Sequence, residues 1–353
     1  MKLTTQCFCF AAVCLLCAAV SCCRVYEWPA TVIGGECRQE VVLTFDTGLP
    51  KWEHSINRSE SEPAVSSWTM LTRGTMRHTV RICPVVDGKL DSESAETLRF
   101  TEDLSNCASY DSSFTLQLAP GDYRILVWSD FYESETSGPL YEVGDISRIT
   151  LSEGPHVANS DYFDAFRGWT DIHVEETSGE PLPAVYVTMA RPLAKFELVA
   201  DDVAEFVKLE SARIAELRGR AAGGFSLDNY TVVITYVGYM PNTYNLLTDR
   251  PVDSATGVSF TSSLREIEGG EVSLGFDYVF VKDDTYQSVT VQMAIYDDTD
   301  GSRITQTGNL RIPLQRSIHT IVRGSFLLMN SSGGIGIDSD FDGEHNRDVD
   351  FTF

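Results

Sequence analysis

The sequence is short of positive charge: 27 Lys and Arg stand against 51 Asp and Glu, a formal net charge of −24. A surface that acidic repels phosphate backbones and anionic headgroups, so no nucleic-acid partner is expected. Histidine is scarce too, and the six, His54, His78, His156, His173, His319 and His345, are scattered without ligand spacing. His78 and His319 fall in strand-like runs, where a hydrogen-bonded structural histidine is the expected reading. A G-x-S-x-G elbow, H-E-x-x-H, a Walker loop and a G-x-G-x-x-G after a strand are all missing, which removes the usual sequence signatures of hydrolases, zinc proteases and nucleotide-cofactor enzymes. No enzyme activity and no cofactor are expected. Of nine cysteines, four precede residue 18; the other five, Cys22, Cys23, Cys37, Cys83 and Cys107, form no C-x-x-C pair. With no Cys/His cluster at zinc spacing, a structural zinc site is not expected. Beyond the first two dozen residues, no run is apolar and long enough to span a bilayer.

What is present begins with a basic start at Lys2 and an apolar run from about Cys7 to Ser21, bounded by Arg24. This run falls short of the ~20 residues of a spanning helix and fits the h-region of a secretion signal. Residues 1–21 are therefore read as a signal peptide. Its end, Ala19-Val20-Ser21-Cys22, resembles the lipobox of bacterial lipoproteins, although Ala19 stands where that family prefers Leu. The resemblance implies that Cys22 opens the mature chain and carries a diacylglycerol, with a further acyl chain such as palmitate on its amino group. Two or more acyl chains give stable membrane anchoring, whereas one gives marginal attachment. The alternative is an ordinary cysteine-rich signal. If Cys22 is lipidated, Cys23, Cys37, Cys83 and Cys107 remain, with three pairings or none open to them.

The 353 residues exceed what one core normally serves, and two domains are expected. Residues 22–39 carry no clear period and read as a tether. EVVLTFDT at 40–47 reads as the first strand, and 48–75, rich in Ser, Glu and Pro, as a long loop. MRHTVRICPVV at 76–86 and SFTLQLAPGDYRILVWSDF at 113–131 follow; in the second, two alternating runs flank Pro120-Gly121-Asp122, the signature of antiparallel strands with one buried face. Pro181 and Pro183 mark a boundary near residue 182, dividing a β-sandwich domain at 40–182 from a second at 183–353. In the second, residues 202–219 predict the one notable helix, with Asp201 or Asp202 as its cap and Gly219 as its end. Strand-like runs continue to SIHTIVRGSFLLM, and Asp300-Gly301 predicts a hairpin turn. The fold class is mainly β.

Two motifs invite a ligand. Asp338, Asp340 and Asp342 before Gly343 copy the opening of a calcium loop, in which alternate carboxylates converge on a hard cation. The twelfth position, where a bidentate Glu belongs, is Val349, and the preceding FLLM reads as strand rather than helix. A polar tail folded over a sheet end is the favoured reading, and no metal is expected. The aromatic residues Tyr162, Phe163, Phe166 and Trp169, with Tyr236, Tyr239 and Tyr244, admit a sugar-stacking surface, though aromatics fill cores far more often.

Read in order, the tether cysteine, APGDYRILVWSD, SDYFDAFRG, MARPLAKFELV, YVGYMPNTYNLLTDRP, RIPLQRSIHTIVRGSFL and GGIGIDSDFDGE resemble the fimbrillin-like surface lipoproteins of Bacteroidetes, close to fimbrial subunits and their anchors. The similarity spans roughly residues 40 to 345. It implies two transthyretin-like β-sandwich domains, export to the outer membrane through lipidated Cys22, and a structural or adhesive role as subunit, tip or anchor. Polymerising members resemble donor-strand systems, in which a protease cuts after an arginine near the first strand and a neighbour's strand fills the opened groove. Arg58 and Arg73 follow the EVVLTFDT strand and are the candidate cut points; anchor-type members stay uncut. Asp253-Ser254-Ala255 is similar to the O-glycosylation acceptor of this bacterial group, with Ser254 as the acceptor and a plain turn as the alternative. The competing functional class is a lipid-anchored glycan-binding module.

Overall fold

The computed structural model describes residues 31–33, 37–45, 74–104, 112–134, 136–152, 154–176, 182–218, 225–283, 285–328 and 336–338. The chain forms two compact units, each assembled from separated stretches. The architecture is mainly β, as the sequence predicts, and the described residues include one α-helix.

Unit 1 draws on Met1–Thr47, Met70–Ser137 and Phe166–Ala190. Its strands are β1 (Thr31–Ile33), β2 (Cys37–Phe45), β3 (Thr75–Val86), β4 (Lys89–Leu90), β5 (Glu96–Asp103), β6 (Ser112–Leu118) and β7 (Gly121–Tyr132). After two strands in the other unit, β8 (Tyr141–Glu142) and β9 (Ile149–Leu151), the chain returns as β10 (Ala165–Val174) and β11 (Leu182–Met189). One sheet has the order β1-β6-β2-β11; the other runs β10-β7-β3-β4, with β5 also pairing β3. Alternation makes the two inner faces. Val41 and Leu43, Leu116 and Leu118, Val80 and Ile82, and Ile125 and Val127 are all fully buried, as period-2 strands with one core face require. Gly168 on β10 is needed because a Cβ there would lie 2.6 Å from the Thr188 carbonyl oxygen of β11.

Two details differ from the sequence reading. The stretch read as a tether contains β1 and the start of β2, because Cys37 and Gln39 continue the inward row. The break placed near residue 182 falls at the start of β11, which stays in unit 1 through its parallel pairing with β2; residues 138–165, earlier in the chain, belong to unit 2.

Unit 2 continues with β12 (Leu193–Ala200), helix α1 (Val203–Arg218), β13 (Tyr230–Tyr236), β14 (Tyr239–Asn245), β15 (Arg250–Thr256), β16 (Ser259–Ser263), β17 (Arg265–Glu266) and β18 (Val272–Phe280). It ends with β19 (Gln287–Asp297), β20 (Ser302–Gln306), β21 (Leu310–Leu314), β22 (His319–Gly324) and β23 (Gly336–Asp338). Three sheets result: β17-β18-β12-β22-β23; β16-β13-β19-β20 with β21 on β19; and β15-β14-β9-β8. Phe196 and Leu198, Val232 and Ile234, Val291 and Ile295, with Phe206 of α1, share one core. The Asp300-Gly301 turn joins β19 to β20 as predicted. Phe326, Leu327 and Leu328, read from sequence as strand, lie beyond it: β22 ends at Gly324, and the Asp202 carboxylate accepts from the backbone N–H of Leu327 and Leu328. That carboxylate is thereby turned to a neighbouring loop.

Candidate functional site

The feature best built for a partner is the place β2 occupies. β2 runs between β6, antiparallel, with Val41 opposite Phe114, and β11, parallel, with Val41 opposite Val185. Its side chains alternate: Cys37, Gln39, Val41, Leu43 and Phe45 are buried, whereas Arg38 and Glu40 are exposed and Val42 and Thr44 half-buried. The row has one large apolar anchor, Phe45, whose ring meets Phe166 edge-on at 5.1 Å between centroids. Burying each of Val41, Leu43 and Phe45 contributes about 1.5–3 kcal/mol. Gln39 is the polar member, only 3% exposed; its Nε2 donates to the carbonyls of Pro183 at 2.7 Å and Glu40 at 2.9 Å. The Cys37 thiol donates to the Glu175 carbonyl at 3.4 Å. Main-chain ladders on two edges and five inward pockets are what a strand-binding slot consists of, and here the slot is filled from within the same chain.

Other polar clusters are internal to each unit. In unit 1, His78 Nδ1 lies 2.7 Å from Ser129 Oγ, and its Nε2 lies 3.7 Å from Glu102. The set has the composition of a hydrolytic triad, but His78 and Ser129 are fully buried, so no substrate carbonyl reaches the hydroxyl. Burial pushes the Glu102 carboxyl up, but His78 and the Ser112 hydroxyl outweigh it and hold the group below its usual value. Arg77 clamps Asp130, with Nε at 2.8 Å, yet burial still raises that carboxyl. In unit 2, Lys195 Nζ lies 2.7 Å from Asp161 Oδ1, which also accepts from the Tyr278 hydroxyl at 2.6 Å. Burial acts to raise Asp161, but Lys195 and Tyr278 bring it below its usual range. His156 and the Tyr236 hydroxyl both meet Asp277 at 2.6 Å. These pairs fix strands and loops to one another.

Among the described residues, those singled out from sequence are not brought together. Cys22, Cys23, Arg58, Arg73, Cys107, Asp340 and Asp342 lie outside the described residues. Asp338 is the last residue of β23, opposite Ile321. Ser254 is exposed and lies within β15 rather than in a turn, at the edge of its sheet. Cys83 is a buried free thiol, raised by burial against the lowering effect of Arg81. Among the aromatics, Phe163, Phe166, Tyr236 and Tyr244 are buried, while Trp169 and Tyr239 are exposed and fall in different units. The sequence reading takes AVYVTM as a strand, but the role of Gln39 and the pairing of β11 with β2 lie outside it. The strand period extends back to Cys37 and was the available signal; a parallel pairing across some 140 residues leaves none.

The chain belongs to a family of unknown function (DUF6562), whose pattern matches residues 35–352. No curated protein matches it. Among solved structures it is similar to the fimbrial anchor protein Mfa2 from Porphyromonas gingivalis, at 12% identity and a TM-score of 0.39 over 81% of this chain and 90% of that one. It is similar to a fimbrial assembly protein from Parabacteroides distasonis, at 12% identity and a TM-score of 0.35, covering 85% and 98% of the two chains. A Bacteroides thetaiotaomicron protein named provisionally for polysaccharide binding has 9% identity and a TM-score of 0.41, covering 82% and 93%.

Proposed function

We propose that the chain is a non-enzymatic cell-surface protein of fimbrial type, subunit, tip or anchor, exported by residues 1–21 and held in the outer membrane by acyl chains on Cys22. The ordered sequence segments given above support the fimbrial reading. The observation that carries the mechanism is the interior position of β2 combined with the location of Arg58 and Arg73 between it and β3. A cut after either arginine severs β1 and β2 from the chain that forms both walls of the slot. Loss of β2 would leave facing edges of β6 and β11, and a strand from a second copy would restore both ladders by β-augmentation. An uncut chain keeps its own strand in place and acts as an anchor or cap. Ser254, exposed on an edge strand, is the proposed O-glycosylation acceptor.

The test is the intact mass of the mature protein taken from membranes, with and without an arginine-specific protease. A chain beginning at Cys22 with a lipid adduct, and resisting the protease, is the anchor outcome and contradicts a stalk subunit. A lipid-free chain beginning after Arg58 or Arg73 is the polymerising outcome. A chain that begins elsewhere and carries no lipid contradicts both.

A further inference from the structure

We infer that Gln39 sets the register of the strand that fills the slot between β6 and β11, and so selects which strands the slot accepts. A slip of one residue is already excluded, because it would turn Arg38 and Glu40 inward and the whole apolar row outward. A slip of two residues keeps every side chain on its face, so alternation alone does not forbid it. In one direction that slip drives Phe45 into the place of Leu43, which is fully buried, and the extra bulk opposes it. In the other direction nothing in the row is too large. Cys37 would take the place of Gln39, Val41 that of Leu43, and Leu43 that of Phe45. Gln39, however, would enter the fully buried place of Val41 and lose the Pro183 carbonyl 2.7 Å from its amide. A buried amide without that acceptor is the penalty that closes this direction, as single buried polar residues do in helical assemblies.

The acceptor sits where the β2–β11 register is itself irregular, between Leu182 and Val185, and Pro183 has no N–H with which to continue the ladder. The side-chain amide thus supplies a contact to β11 where its backbone has no donor to offer. Resting on the strand-exchange reading, the consequence for a second copy is specific: an incoming strand must present an amide at the second of five inward positions, followed by three apolar ones. The register claim itself does not depend on exchange.

It is tested in the full, uncut chain by disulfide trapping with mass mapping. Glu40→Cys is combined either with Thr115→Cys, its partner in the observed register, or with Ser113→Cys, its partner after the two-residue slip. With Gln39 present, only the 40–115 link is expected. Gln39→Met, equally long but without a donor, should increase the 40–113 link by about tenfold, and Gln39→Asn should not. A folded Gln39→Met protein that forms no more of the 40–113 link overturns the inference. Should Gln39→Met fail to fold, the amide can be moved instead, by Gln39→Val with Val41→Gln and with Phe45→Leu to relieve crowding. That strand should shift so that Val42→Cys joins Thr115→Cys; retention of the 42–113 link overturns the inference. Because these chains are uncut, failure of strand exchange between molecules would leave this result standing, and the reverse.

Discussion

β2 and β12 hold equivalent places in their units, each an interior strand with an antiparallel neighbour on one side and a parallel neighbour on the other. Their side chains differ. β2 alternates, burying five residues and presenting Arg38 and Glu40 to solvent, whereas β12 is buried along its whole length. One face of β12 carries Phe196 and Leu198 into the apolar core, and the other carries Lys195 to Asp161 and Glu197 to the Ser273 hydroxyl. Equal backbone pairing therefore does not mean equal permanence. A strand covered on one face is removable without stranding charges, while β12 is tied on both faces, once by apolar contact and once by buried ions.

β12 depends most on Lys195. Lys195→Ala leaves Asp161 buried without its cation and should cost about 3–5 kcal/mol in denaturant unfolding of unit 2, while Lys195→Met with Asp161→Leu should recover most of that. A loss below about 1 kcal/mol would mean the pair does not lock β12. In β2, Leu43→Ala should cost about 2–5 kcal/mol, felt in unit 1, with the unit 2 transition unmoved. A smaller effect follows from pH. The Asp161 carboxyl is held below its usual value, so its contribution is present above the unfolded value of about 3.9 and is lost as pH falls through the folded one. Glu102 has the same sign, whereas Asp130, raised by burial, has the opposite sign and favours the folded state on acidification. Asp161→Asn should accordingly flatten the acid limb of unit 2 stability as pH falls below the unfolded value, measured by urea midpoints. Smallest of all, Glu40→Ala on the solvent face of β2 should stay within about 0.5 kcal/mol of the parent protein.

Much of this contrast was legible in the sequence, and part was not. The β-branched content of EVVLTFDT marks β2, and the alternation in SFTLQLAPGDYRILVW marks β6 and β7, because a half-buried strand writes its period into neighbouring residues. Helix α1 was found within one residue of its ends through Val203, Phe206 and the glycine that follows it. AVYVTM and SIHTIVRG read as strands, but nothing in them marks β11 as the parallel neighbour of β2 or β22 as that of β12, since pairing across long separations leaves no local mark. Nor does FELVA in β12 reveal that Glu197 is inside: a charged residue between apolar ones reads as a solvent-facing strand position until its partners are known. The same limit hid the slot, whose second wall is β11, and with it the role of Gln39.

Whether β2 is a replaceable strand is decided by cutting the full-length chain with an arginine-specific protease and offering a labelled peptide of residues 37–45. The peptide should bind the cut protein with release of the native N-terminal fragment, and the uncut protein should bind none. Equal binding to cut and uncut protein, or a native fragment that the peptide never displaces, would contradict a replaceable β2.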